Sequence, residues 1–267
     1  MNDRFDIALG CHGLRVEVPG RSLVDGLAFA LRAGEFLAVL GQNGAGKSLT
    51  LHTLAGLRKA AAGKVELHGL PLNTMPRQAI AQGMALLPQH SDDAFPASVF
   101  DTALAGRHPH VPRLQWESPA DREIAADCLR LMNLQELHGR DIATLSGGER
   151  RRLAVAQVLA QSPEVYLLDE PTNHLDPQHQ LDVLNVFAAR AASGKTVVAS
   201  LHDVNLAARY ATSCLLLFGD GRWRLGPAAT ILSASVLSEL YATPMEALPW
   251  RDRQLFVASG APPPQAT

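Results

Sequence analysis

The sequence is short of the residues that cross-link a protein or hold it on a charged surface. Only three of its 267 residues are cysteine, Cys11, Cys128 and Cys214. They lie far apart with no CxxC spacing, which predicts neither a disulfide framework nor a cysteine metal site. Each sits in an apolar setting where a thiol packs as a small hydrophobe. Charged residues are 19% and the net charge is −2, which excludes nucleic-acid binding by blanket positive charge. Lysine is scarce, confined to Lys47, Lys59, Lys64 and Lys195. The N-terminus has no basic segment followed by an apolar run, so no secretory signal is predicted. No stretch approaches the roughly 18 uncharged apolar residues of a membrane span. The expectation is a soluble protein, or one held at a membrane by a partner.

What is present is enough for a full core. Apolar residues make up 47% of the chain, and the length suits one large domain or two small ones. Residues 1–34 read as short strands broken by turns, with Pro19-Gly20 marking one turn. Phe36–Leu40 is a short apolar run ending at a glycine. Val165–Leu168, Thr196–Ser200 and Cys214–Phe218 are further apolar runs, and Gln178–Ala192 reads as a crossover helix. Near-continuous apolar strands alternating with helices predict a mostly parallel sheet covered on both faces. The middle, about 90–162, differs. Ser91–Pro119 is proline-rich and reads as loop. Ile124, Ala125, Cys128, Leu129 and Met132 then fall on one helical face, and Leu153–Gln161 looks helical again. This part is expected to be a helical subdomain inserted in an α/β core. The expected division is one domain over 1–250 and a tail over 251–267, its last residues too polar and proline-rich to bury.

Gly41-Gln42-Asn43-Gly44-Ala45-Gly46-Lys47-Ser48 fits G-x-x-x-x-G-K-[ST]. Phosphates need converging N–H donors and close backbone approach, and the glycines remove the side chains that would block it. A strand leads in and a helix leads out, adding the N–H groups and positive dipole end of a helix start. Lys47 would reach the β- and γ-phosphates and Ser48 a Mg²⁺ ion, with Leu49 next in line. A chance match in a chain of this length is roughly 1 in 100. The strand Val165–Leu168 ends in Asp169-Glu170, at the end of a parallel strand where ligands bind. Alone, that could be a strand capped by solvated charges. Beside a phosphate loop, Asp169 can hold Mg²⁺ and Glu170 can act as general base on water.

With these motifs the chain resembles the ABC ATPases over about residues 8–245. Leu145-Ser146-Gly147-Gly148-Glu149 matches the family's signature; taken alone it is a helix start with Ser146 as cap and Glu149 completing a capping box. The resemblance implies a P-loop core with an N-terminal antiparallel β subdomain and an inserted helical subdomain. It implies that Ser146, Gly147 and Gly148 of one copy contact the γ-phosphate bound by the other in a head-to-tail homodimer. It also implies that Gln89, in Leu87-Pro88-Gln89, ligates Mg²⁺ or its waters and reports to a membrane partner, that Asn173–Asp176 crosses the dimer interface, and that His202 contacts the γ-phosphate. Where the family usually stacks an aromatic residue on adenine, this sequence has Val18. One cassette without heptad runs between Ser48 and Ser146 favours a transporter subunit over a soluble ABC ATPase of translation or repair.

Within transporters, Leu87–His90, Ala105-Gly106-Arg107-His108-Pro109-His110 and Leu201–Ala211 are similar to the ATPases of bacterial importers for haem, ferric siderophores and vitamin B12. The similarity implies an ATP- and Mg²⁺-dependent hydrolase on the cytoplasmic face of the inner membrane. Its implied partners are two permease subunits, seated partly on the 90–115 region, and a periplasmic binding protein, with no nucleic acid. Haem or ferric siderophore is expected over cobalamin.

Overall fold

The computed structural model describes residues 7–89, 96–251 and 253–260. His90 and the tail from 261, both mentioned above, lie outside them. The chain opens with β1 (Ile7–Val18) and β2 (Arg21–Arg32), then β3 (Phe36–Leu40), α1 (Lys47–Leu54), β4 (Ala62–Leu67), β5 (Leu70–Pro71), α2 (Arg77–Gly83) and β6 (Met84–Leu87). Three helices follow, α3 (Val99–Ala105), α4 (Pro119–Leu131) and α5 (Gly147–Ala160). After them come β7 (Val165–Asp169), α6 (Pro177–Ala192), β8 (Thr196–Ser200), α7 (Val204–Tyr210), β9 (Ser213–Leu217) and β10 (Trp223–Pro227). The chain closes with α8 (Ala228–Ile231), α9 (Ala234–Tyr241) and the hairpin β11 (Met245–Trp250) and β12 (Arg253–Ala258).

The strands form two main sheets. A six-stranded sheet has the order β10-β9-β3-β8-β7-β6, parallel except for β10. An antiparallel sheet has the order β2-β1-β4-β5. All five residues of β3, β7 and β8 are buried, as parallel strands with covered faces require. Two apolar clusters flank this sheet. One packs the outward residues of the strands on α3–α6, and the other packs them on α1 and the antiparallel sheet. All three cysteines are free and buried, and burial raises the Cys11, Cys128 and Cys214 thiols to about 12, 11 and 12.

Two stretches differ from their sequence reading. Residues 7–32 form two twelve-residue strands rather than short strands broken by turns. Their pairing is interrupted between Cys11 and Leu14 and again before Val16 and Glu17. Each bulge resets the alternation of inward and outward side chains, so a long strand reads as short fragments. Within the proline-rich stretch read as loop, α3 forms over seven residues. The Ser98 hydroxyl accepts from the Asp101 N–H at 3.1 Å and caps it. A helix this short carries too few turns for its periodicity to show.

Candidate active site

Four neighbouring parallel strands release their carboxyl ends at one edge of the sheet. β3 leads into Gly41–Ser48, β8 into Leu201-His202, β7 into Asp169-Glu170, and β6 into Pro88-Gln89. Ligands bind at such an edge in open α/β sheets. A cavity of about 580 Å³ opens there, lined by Asn43, Gly44, Gly46, Lys47, Ser48, Leu49, Gln89, Glu170, Asn173 and His202. Val18, Arg21 and Leu23 also line it.

The loop is wound tightly. A Cβ on Gly41 would lie 2.5 Å from the Leu217 carbonyl, and Gly46 takes a left-handed φ of 100° with Leu23 packed against it. Only glycine meets both conditions. Lys47 is 5% exposed, and its Nζ donates to the carbonyls of Gly41 at 2.9 Å and Gln42 at 3.3 Å. The ammonium therefore sits inside the loop that surrounds it. Burial lowers its pKa, and the charges of Glu170 and Asp169 oppose that shift. The Gln42 side chain ties the loop to the Leu240 carbonyl at 3.1 Å.

Glu170 lies at the centre. It is 5% exposed, and its backbone takes a left-handed φ of 50°, which costs about 1–3 kcal/mol for a residue with a side chain. One carboxylate oxygen accepts from Gln89 Nε2 at 2.6 Å and from Asn173 Nδ2; the other meets His202 Nε2 at 2.6 Å. Ser200 Oγ donates to Asp169 Oδ1 at 2.7 Å and accepts from the Glu170 N–H at 2.8 Å. The second Asp169 oxygen is buried with no hydrogen-bond partner. A buried carboxylate oxygen without a donor is costly, and a hard divalent cation taking oxygen ligands fits it. Ser48 and Gln89 can supply further oxygens. No cluster of three His, Cys, Asp or Glu side chains suited to a metal occurs among the described residues.

Ser146, Gly147 and Gly148 stand apart from this cavity. Ser146 caps α5 by accepting from the Glu149 N–H at 3.3 Å, while Glu149 returns a carboxylate to the Ser146 N–H at 2.8 Å. Ser146 and Gly147 are exposed. A Cβ on Gly148 would meet the His174 carbonyl at 3.5 Å, so the signature segment adjoins the 173–176 loop.

Sequence reasoning passed over Arg21, Ser200 and Arg151, and placed Asn173 only in the loop expected at a dimer interface. Arg21 reaches the cavity with its Nε donating to the Gly219 carbonyl at 2.8 Å. Asn173 bonds Glu170. Ser200 bridges both carboxylate residues; the signal was a polar end on an apolar strand, since parallel pairing sets Ser200 opposite Asp169. Arg151 is buried beneath the site, and a run of three arginines gives no hint of which one turns inward.

A glycine-rich loop after β3 that fits G-x-x-x-x-G-K-[ST], with carboxylates at the end of a parallel strand of the same sheet, is the arrangement of a P-loop nucleotide hydrolase. The family model described as "ABC transporter" matches residues 24–173. The hemin import ATP-binding protein HmuV of Streptomyces coelicolor is 39% identical over 244 residues, 91% of this chain and 86% of that protein. HmuV of Nocardia farcinica is 40% identical over 252 residues, 92% and 86% of the two chains. A solved structure of a metal-chelate type ABC transporter in an inward-facing conformation superposes with a TM-score of 0.82 at 30% identity, covering 96% of this chain and 98% of that one. The chain belongs to the ABC transporter ATP-binding family. It binds ATP and hydrolyses it to power transport. No helix among the described residues is long and apolar enough to cross a membrane.

Proposed function

We propose that this chain is the ATP-hydrolysing subunit of a bacterial importer that takes up haem or a ferric siderophore through a separate permease. One observation carries the reading of the reaction: Glu170, Gln89, His202 and the Lys47 loop converge on a single cavity. Residues 41–49 hold the triphosphate through backbone N–H groups and the start of α1. Lys47 neutralises the β- and γ-phosphates. Glu170 accepts a proton from the attacking water, and Gln89 and His202 fix its carboxylate and line the γ-phosphate position. Ser48, Asp169 and Gln89 would hold Mg²⁺, which would supply charge neutralisation at the phosphate oxygens. Phosphoryl transfer depends mainly on such positioning and electrostatics.

Ser146, Gly147 and Gly148 lie outside the chain's own cavity, which supports a homodimer in which each copy completes the other's site with the start of α5. A helix start bearing small residues suits a γ-phosphate. The transport assignment includes two permease subunits, a periplasmic binding protein, and a peripheral place on the cytoplasmic face of the inner membrane. A groove of about 310 Å³ lined by Leu87, Pro88, Ala105, Pro109, Ala154 and Val158 adjoins Gln89 and suits a permease helix. The choice of haem is supported by the hemin import relatives.

Glu170→Gln tests the reaction. The variant is expected to bind ATP and to lose about 10²–10⁴-fold in turnover, the range for a general base. Turnover at the parent rate would sink the assignment. ATPase stimulation in vesicles carrying the permease and binding protein, with haem, a ferric siderophore or cobalamin offered separately, tests the cargo.

A further inference from the structure

Helix α5 carries three arginines behind its Ser-Gly-Gly start, and the middle one turns into the protein. Arg151 is 6% exposed. Five backbone carbonyls accept from its guanidinium. Nη1 donates to Pro88 at 2.6 Å and Gln89 at 3.3 Å, Nη2 to Asp169 at 2.5 Å and Glu170 at 2.8 Å, and Nε to Pro171 at 3.4 Å. Arginine is the one side chain with a rigid planar fork of five N–H donors. Burial lowers its pKa to about 10, opposed by the charges of Asp169 and Glu170, so it remains a cation at neutral pH.

The acceptors come from both segments that hold the hydrolytic groups. Three successive carbonyls, those of Asp169, Glu170 and Pro171, face one guanidinium. An extended strand cannot do this, because its successive groups point to opposite sides. The left-handed turn at Glu170, φ 50°, allows it, and with that carbonyl held inward the carboxylate reaches Gln89, Asn173 and His202 instead. The Gln89 carbonyl is held by the same cation. Arg151 thus fixes the backbone on both sides of the 2.6 Å bond between Gln89 and Glu170.

We infer that Arg151 is a positioning residue for hydrolysis. Its guanidinium clasps the Gln89 loop and the Glu170 turn to α5, the helix whose start bears Ser146–Gly148, so that the base is set by the placement of that helix. This rests on Glu170 as the general base.

The test uses the full chain with Arg151→Met, which keeps side-chain length but removes every donor, and Arg151→Lys, which keeps the charge and three donors. Arg151→Met is expected to lower kcat roughly 10–100-fold, the scale of an ångström-level misplacement, at the parent KM for ATP. Arg151→Lys is expected to recover part of that loss. A purely structural role would lower Tm and leave kcat per folded molecule unchanged. That result, or a parent kcat in folded Arg151→Met, overturns the inference. Should Arg151→Met fail to fold, Arg151→Lys decides: a reduced kcat at parent KM supports the clasp, and a parent kcat overturns it. Glu170→Gln run alongside separates the two ideas. Parent turnover in Glu170→Gln defeats the general-base reading, whereas a slow Glu170→Gln beside an unaffected Arg151→Met defeats the clasp alone.

Discussion

Around Gly41–Ser48, proposed to hold the phosphates, the cavity presents main chain; at Val18 and Arg21, proposed to face the base, it presents side chains. Gly41–Ser48 winds its main chain around one buried lysine, whose Nζ donates to the Gly41 and Gln42 carbonyls, after a strand whose residues are wholly buried. The proposed base side has Val18, half-buried, and Arg21, exposed, whose Nε donates to the Gly219 carbonyl. Backbone recognition demands glycines, a lysine and a strand-to-helix turn at fixed spacing, so it leaves a pattern in the sequence. Side-chain recognition of a flat base can be met by any planar or apolar group that reaches it, so it leaves none.

Three substitutions bear on that contrast. Lys47→Ala strikes the phosphate end and is expected to weaken ATP binding about 10–100-fold, the value of a charge-assisted hydrogen bond. An unchanged Kd in a binding titration would break the contrast outright. Val18→Tyr restores a stacking face at the base end and is expected to tighten ATP binding roughly 2–10-fold. If fluorescent-nucleotide titration finds no gain, the base does not lie against residue 18. Arg21→Ala should weaken binding least, about 2–5-fold, as an exposed guanidinium over a ring contributes little. Comparing Kd for ATP with that for inorganic triphosphate sharpens this, because only the former should respond to changes at residues 18 and 21.

The legible parts share a cause. Phe36–Leu40, Val165–Leu168 and Thr196–Ser200 were readable as strands because both faces of a parallel sheet are covered and the runs are largely apolar. The α5 start was readable because Ser146 and Glu149 cap it locally. Helix α3 and the long bulged β1 and β2 were not, since a short helix and a reset alternation both erase the period that reveals them. The segment Arg107–His110 read as a proline-rich loop. It is instead fastened to the helices around it, with Arg107 paired to Asp121 at 2.9 Å and bonded to the Ala160 carbonyl at 2.8 Å.

The sequence alone determined the features that depend on residues close along the chain: the glycine-rich loop between strand and helix, the strand-ending carboxylates, the capped start of α5 and the order in which they come. Only the tertiary structure decided which distant groups meet. It brought Gln89, Asn173 and His202 onto one carboxylate, set Ser200 against Asp169, and turned Arg151 rather than its two neighbours inward. It also left Ser146–Gly148 outside the lining of their own chain's cavity. The reason is geometric: spacing along a strand or helix fixes local contacts, whereas the crossover of four strands to one sheet edge fixes these.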